Sequence, residues 1–125
     1  MAGCACRVVA FADGQAESVG ESRSRVAIAR AGLPAPELQW PVPLAGYTAY
    51  TDFGWPKQRT VGEFDGRIKY GRLLKPGQDP GEVVYAEKVR EDAVRAEDLG
   101  VVRWTWADLD HFAATAARIR ARFRD

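Results

Sequence analysis

Polar and apolar positions alternate with two periods along this chain, and the changes of period mark out its elements. "SVGE" reads as a capping box, with Ser18 as N-cap and Glu21 at the third helical position. Val26, Ala29 and Leu33 then recur at helical spacing, and Gly32 and Pro34 close the helix. The period next drops to two. "LQWPVPL" sets Leu38, Trp40, Val42 and Leu44 on one face and Pro41 and Pro43 on the other, which only an edge strand tolerates. Ala45-Gly46 turns the chain into "YTAYTDF", a second strand ending at Asp52 and Phe53. "GWPKQ" turns it again into "RTVGEFD", a third. Connections this short make the three an antiparallel meander.

Residues 66–78 form a loop rich in glycine and cations. "DPGE" opens a second helix, with Asp79 as cap, Pro80 at the first helical position and Glu82 at the third. Ala86, Val89, Ala93 and Ala96 are its expected apolar stripe, and Gly100 stops it. "VVRWTW" is a fourth strand, reached by a helical crossover and hence parallel to the third. A last helix starts near Thr105 and ends in alternating arginines, Arg118, Arg120, Arg122 and Arg124. The order αβββαβα predicts an α/β fold: one mixed four-stranded sheet with flanking helices. Residues 1–17 are expected to be a poorly ordered segment and 18–125 a single domain.

Composition narrows the function classes. A chain of 125 residues is one domain with a real core, and 46% apolar with 28% charged residues is ordinary for a soluble protein. A net charge of +1 means that any nucleic-acid argument rests on how charge is distributed. No apolar run is as long as a membrane span, and the start lacks the basic and apolar regions of a signal peptide. A cytoplasmic location with no membrane partner is expected. Cys4 and Cys6 form a C-x-C, but with no second cysteine pair and His111 as the only histidine they read as reduced thiols rather than a zinc site.

The candidate chemistry lies in "VGEFDGRIKY", Val61 to Tyr70. On a strand, Glu63 and Asp65 share a face about 7 Å apart, and like charges so close raise one another's pKa unless a cation intervenes. That cation is either a metal ion or Arg67 and Lys69. Asp52, at the end of the adjacent strand, can approach as a cross-strand neighbour, and Glu21 from the first helix. Hard oxygen donors gathered this way suit Mg²⁺ or Mn²⁺. Arg67, Lys69, Arg72 and Lys75 follow with no acidic residue from Gly66 to Gly77. Such a loop fits a phosphodiester, with cations on the phosphates and a metal activating water. The competing reading is a plain Asp65-Gly66 turn with Glu63 neutralised by an arginine.

These residues resemble a known family. The order αβββαβ with D…E-x-D/K resembles the restriction-endonuclease-like PD-(D/E)xK superfamily. More closely, "DF" at Asp52-Phe53, "EFDGRIK" at Glu63 to Lys69, "EKVR" at Glu87 to Arg90 and "GVVRW" at Gly100 to Trp104 resemble the domains related to very-short-patch-repair endonucleases. The likeness covers about Ser18 to Asp108. It implies a restriction-endonuclease-like fold, a Mg²⁺- or Mn²⁺-dependent endonuclease and DNA as partner. Asp52 and Glu63 are then metal ligands, and Asp65, where the wider superfamily has lysine, is a third. Lys69 stands where closer relatives often have histidine, and would polarise the scissile phosphate. Glu87 and Arg90 line or brace the site, while Lys88 rivals Lys69 as the displaced lysine. Many actinobacterial members carry this domain behind a winged-helix, antitoxin-like part. That suggests a toxin–antitoxin setting and a homodimer or a winged-helix partner; the alternative is an inactive DNA- or partner-binding module. Trp40, Trp55, Trp104 and Trp106 are expected in the core or rim, with only Trp55 or Trp106 placed to stack on a base.

Overall fold

A computed structural model of the protein describes residues 5–66 and 80–124, with side chains for 18–66 and 85–124. Helix α1 (Ala5–Arg30) leads into strands β1 (Glu37–Leu44), β2 (Tyr47–Trp55) and β3 (Thr60–Phe64). Helix α2 (Pro80–Arg95) crosses to β4 (Gly100–Trp104), and α3 (Trp106–Leu109) and α4 (Phe112–Arg122) follow. The sheet order is β1-β2-β3-β4, antiparallel through β3 and parallel between β3 and β4. This is the mixed sheet with flanking helices that the periodicity predicts, with the proline-bearing strand at its edge.

Three boundaries differ from expectation. Strand β2 does not end at Phe53 but runs on to Trp55, with Gly54 and Trp55 paired to Val61 and Thr60 rather than turning. Helix α1 begins at Ala5, so Ser18 lies in its interior rather than capping it. Ala10, Ala12, Gln15, Ala16 and Glu17 are strong helix formers that carry the helix upstream through the local stop. Its other end is as read. Gly32 takes φ +77°, its N–H donates to the Ala29 carbonyl, and the Leu33 N–H donates to the Ile28 carbonyl. This is a Schellman cap, with Leu33 and Ile28 meeting in the core. The expected last helix is two. Thr105 and Asp108 form a capping box for α3, and the backbone leaves helical geometry at His111. Helix α3 leans on α1 and β4 while α4 lies along β3 and β4, directions that one straight helix cannot serve.

Each face of the sheet has its own core. Between the sheet and α1, α3 and α4, Phe53, Trp55, Phe64, Val102 and Trp104 from the strands pack with Trp106 and Ile119 from the helices. Under α2 a smaller cluster holds Val42, Ala49, Val61, Val94, Leu99 and Val101. Trp104 ties the larger core together. Its ring stacks on Phe53 with centroids 5.5 Å apart, and its indole N–H donates to Ser24 Oγ at 2.9 Å. Ser24 Oγ in turn donates to the Gly20 carbonyl at 2.7 Å, so α1 satisfies the indole without leaving a buried polar atom open. Trp55 donates to the Pro34 carbonyl at 2.7 Å. Trp55 and Trp106 are both buried, as expected of core residues, so neither offers a free ring face to stack on a base.

Both sheet edges are closed to further strands. On β1 the exposed Pro41 and Pro43 lack N–H groups. On β4 the Gly100 N–H and Trp104 carbonyl bond back toward β3, which turns the Val101 and Arg103 carbonyls outward. Arg95 donates to the first at 3.4 Å and Arg118 to the second at 2.6 Å. Two more of the C-terminal arginines reach partners from exposed positions: Arg120 donates to the Ala31 carbonyl, and Arg124 pairs with Asp98 at 2.6 Å.

Two substitutions test this packing. Ser24→Ala leaves the buried Trp104 N–H without its acceptor and should cost about 1–3 kcal/mol. Gly62→Ala places a Cβ 2.6 Å from the Trp104 ring, and overpacking of this kind also costs about 1–3 kcal/mol. Urea unfolding should show lower midpoints with unchanged slopes for both. A wild-type midpoint for either would mean that Trp104 is not the tie between α1 and the sheet.

Candidate functional site

The site arises where the pleat of the sheet fails. Ala49 and Phe53 have the same parity on β2, yet Ala49 belongs to the core under α2 and Phe53 to the core under α1. The alternation therefore slips by one residue between them. Across β1, Gln39 adopts φ +49° and drops out of the otherwise continuous register between Leu38↔Phe53 and Trp40↔Thr51. On the β3 side the ladder runs from Trp55↔Thr60 to Phe53↔Gly62 and stops. Continued, it would pair Thr51 with Phe64.

Two carboxylates take over from the missing backbone pair. The Asp52 N–H donates to Glu63 Oε2 at 3.0 Å, and the Phe64 N–H donates to Asp52 Oδ2 at 2.9 Å. Each acid thus satisfies the backbone of the neighbouring strand, and the exchange holds both side chains beside one another. A charged acceptor makes these hydrogen bonds stronger than the neutral ones they replace. Glu63 is buried, and its pKa is raised, chiefly by loss of hydration and next by the charge of Asp52; Arg90, the Asp52 amide and Arg103 offset part of this.

Helix α2 supplies the counter-charges, and here the expected stripe is wrong. Ala86, Val89 and Ala96 face solvent, and Ala93 is only half-buried. The side toward the sheet carries Glu87, Arg90, Glu91 and Val94 instead. Charged groups can sit there because β3 and β4 present partners for them. Arg90 donates to Glu63 Oε1 at 3.1 Å and to the Tyr50 carbonyl at 3.0 Å. Arg103, from β4, reaches Glu91 at 3.3 Å and both Glu87 and Asp65 at 3.8 Å. Burial works against the charge on Glu91, but hydrogen bonds and attraction to Arg95 and Arg103 outweigh it and hold its pKa below the usual range.

The structure therefore brings Asp52, Glu63, Asp65, Glu87 and Arg90 to one face. Glu21 sits on α1, the helix covering the opposite face. Lys88 is exposed and pairs with Asp92 at 3.7 Å, away from the cluster. Lys69, Arg67, Arg72 and Lys75 lie outside the described residues, as do Cys4 and the Asp79 cap. Arg103 and Glu91 were not expected as site residues. A signal for Arg103 did exist: a lone cation inside "VVRW", on the strand face that Val101 buries.

Comparisons with known proteins add little. Over 56 residues the chain is 45% identical to two uncharacterized proteins of Mycobacterium tuberculosis, MT2308 (strain CDC 1551 / Oshkosh) and Rv2248 (strain ATCC 25618 / H37Rv). The match takes in 44% of this chain and spans 21% of the length of either relative. No protein family matches the chain, and no solved structure does.

The raised pKa of Glu63 has a consequence for stability. Between 4.5, its ordinary value, and the raised value, the native protein binds more protons than the unfolded chain, so stability falls as pH climbs through that window. Glu63→Gln removes this contribution. Urea unfolding from pH 4 to 8 should show wild type losing stability relative to Glu63→Gln as pH rises past 4.5. Parallel profiles would mean that Glu63 keeps its charge at no cost.

Proposed function

We propose that this chain is a nuclease-fold domain, restriction-endonuclease-like, that binds DNA and hydrolyses phosphodiesters with Mg²⁺ or Mn²⁺. The carrying observation is the seating of Asp52 and Glu63 on neighbouring strands, each fixed by the other strand's amide. Burial and Asp52 both disfavour charge on Glu63, a cost that a bound cation would relieve and that functional sites commonly retain. The resemblance to very-short-patch-repair-related domains supports the same reading.

The donor set fits a hard, hydrated cation. Among the described residues no three Asp, Glu, His or Cys side chains are spaced to hold a metal by themselves. Mg²⁺ is commonly held by one or two carboxylates and completes its shell with water and phosphate. Asp52 and Glu63 would be the ligands, with Asp65, two residues along the chain, beside Arg103. When bound, the cation supplies Lewis-acid polarisation of a phosphoryl oxygen and a more acidic water. The chain's own residues do the rest. Arg90 orients Glu63, and Arg103 holds Asp65 and Glu87 in place. Lys69 stabilises charge developing on the phosphate, while Arg67, Arg72 and Lys75 grip the backbone of DNA.

One observation favours a second reading. Arg90 already neutralises Glu63 at 3.1 Å without a metal, which suits an inactive nuclease-fold module kept for DNA or partner binding in a toxin–antitoxin-type regulator. Metal titration separates the two. Under the nuclease reading Mg²⁺ or Mn²⁺ raises the melting temperature, and Asp52→Asn and Glu63→Gln abolish the rise. An identical response in all three proteins would remove the metal site.

Cleavage assays on single-stranded, duplex and mismatched DNA complete the test. Lys69→Ala should lower the rate roughly 10²–10³-fold with metal binding intact, and Lys88→Ala should cut almost normally. Arg67→Ala and Arg72→Ala should each weaken DNA binding without regard to sequence and lower the salt slope by about one. A wild-type protein inert on all three substrates leaves the binding-module reading in place.

A further inference from the structure

On the face of the sheet away from Glu63, α1 diverges from α3 and α4 and leaves a groove of about 620 Å³, open on its solvent side. Its floor is apolar: Val26, Ala27, Leu109, Phe112 and Ala116. Val26 is half exposed there, beside the buried Leu109 and Ala116. Its rim is cationic, with Arg23, Arg30 and Arg120, and no acidic residue lines it. Arg23 is shared with Asp110 at 3.2 Å and stands 6.0 Å from the Trp106 ring centroid. Arg120 donates to the Ala31 carbonyl at the end of α1. Among the described residues neither Arg30 nor Arg120 has a carboxylate partner.

We propose that this groove docks an amphipathic helix of a partner protein, laid with its apolar stripe on the floor and acidic residues against the three arginines. The dimensions suit such a ligand. From Ser22 to Ala31 the wall formed by α1 rises about 14 Å, room for side chains at i, i+3, i+4 and i+7 of a docked helix. The opening argues against a small anion, which needs a pocket that encloses most of its surface. Duplex DNA would satisfy the arginines but has no apolar surface for the floor. The complementary chemistry is therefore acidic on the flanks and aliphatic along the middle. The inference does not depend on the nuclease reading, because no residue of the groove belongs to the carboxylate cluster.

The test uses an 18-residue fluorescein-labelled peptide with leucines on an i, i+3, i+4, i+7 stripe and glutamates on both flanks. Otherwise identical peptides carry glutamine or lysine in place of glutamate. Fluorescence anisotropy should show the glutamate peptide binding at least about tenfold more tightly than the glutamine peptide, a difference of roughly 1.4 kcal/mol. Arg30→Glu should weaken it about tenfold and improve binding of the lysine peptide, since Arg30 makes no ion pair within the described chain. Val26→Asp should weaken both the glutamate and glutamine peptides. Equal affinity for all three peptides, or no effect of either variant, overturns the proposal. So does a 20-base-pair duplex that binds with the same dependence on Arg30 and Val26, which would make the groove a nucleic-acid surface.

Discussion

Two backbone amides lose their ladder partners where β2 and β3 part, and two carboxylates take the vacant places. That exchange between Asp52 and Glu63 is the constraint around which this face is organised. Without an acceptor, the Phe64 amide would open a buried gap in the central pair of strands. With charged acceptors the gap closes, but two carboxylates then stand side by side, Glu63 buried and Asp52 half-buried, and cations from α2 and β4 gather around them. Arg90 answers Glu63, Arg103 answers Asp65, Glu87 and Glu91, and Arg95 secures Glu91 against its own helix. The second core is small because so much of its area is given to this charge network.

The sheet was legible because its cues are local and strong. Prolines on one face of β1 place it at the edge, Ala45-Gly46 makes the hairpin, and the Gly32 cap ends α1 through backbone geometry that few other residues adopt. The site was legible in part for the same reason. Asp52 and Glu63 fall on consecutive strands of a meander, so their adjacency follows from the meander alone.

What stayed hidden depends on tertiary partners. The stripe of α2 was read from its alanines and Val89, whereas the buried side is set by where opposite charges wait on β3 and β4. No helical period reveals that an arginine will turn toward the sheet until its acceptor is known. Ser18 has every local mark of a cap, but the upstream residues favour helix and override it. The break between α3 and α4 is likewise a matter of what each segment packs against. Arg103 stands inside the "GVVRW" stretch, but its role is not legible there, because a single cation in a short strand is ambiguous until the opposing helix is in place.

The guarded edges of the sheet carry a consequence for how this domain meets other molecules. Strand addition works through backbone groups and is nearly indifferent to side-chain identity, so an open edge invites promiscuous partners and fibrous growth. Here prolines blunt one edge, and guanidinium groups from α2 and α4 occupy the outward carbonyls at Val101 and Arg103 on the other. Recognition is thereby shifted from main chain to side chain. Any assembly this domain enters is written in residues that single substitutions can rewrite, so its choice of partner can evolve while the fold beneath stays still.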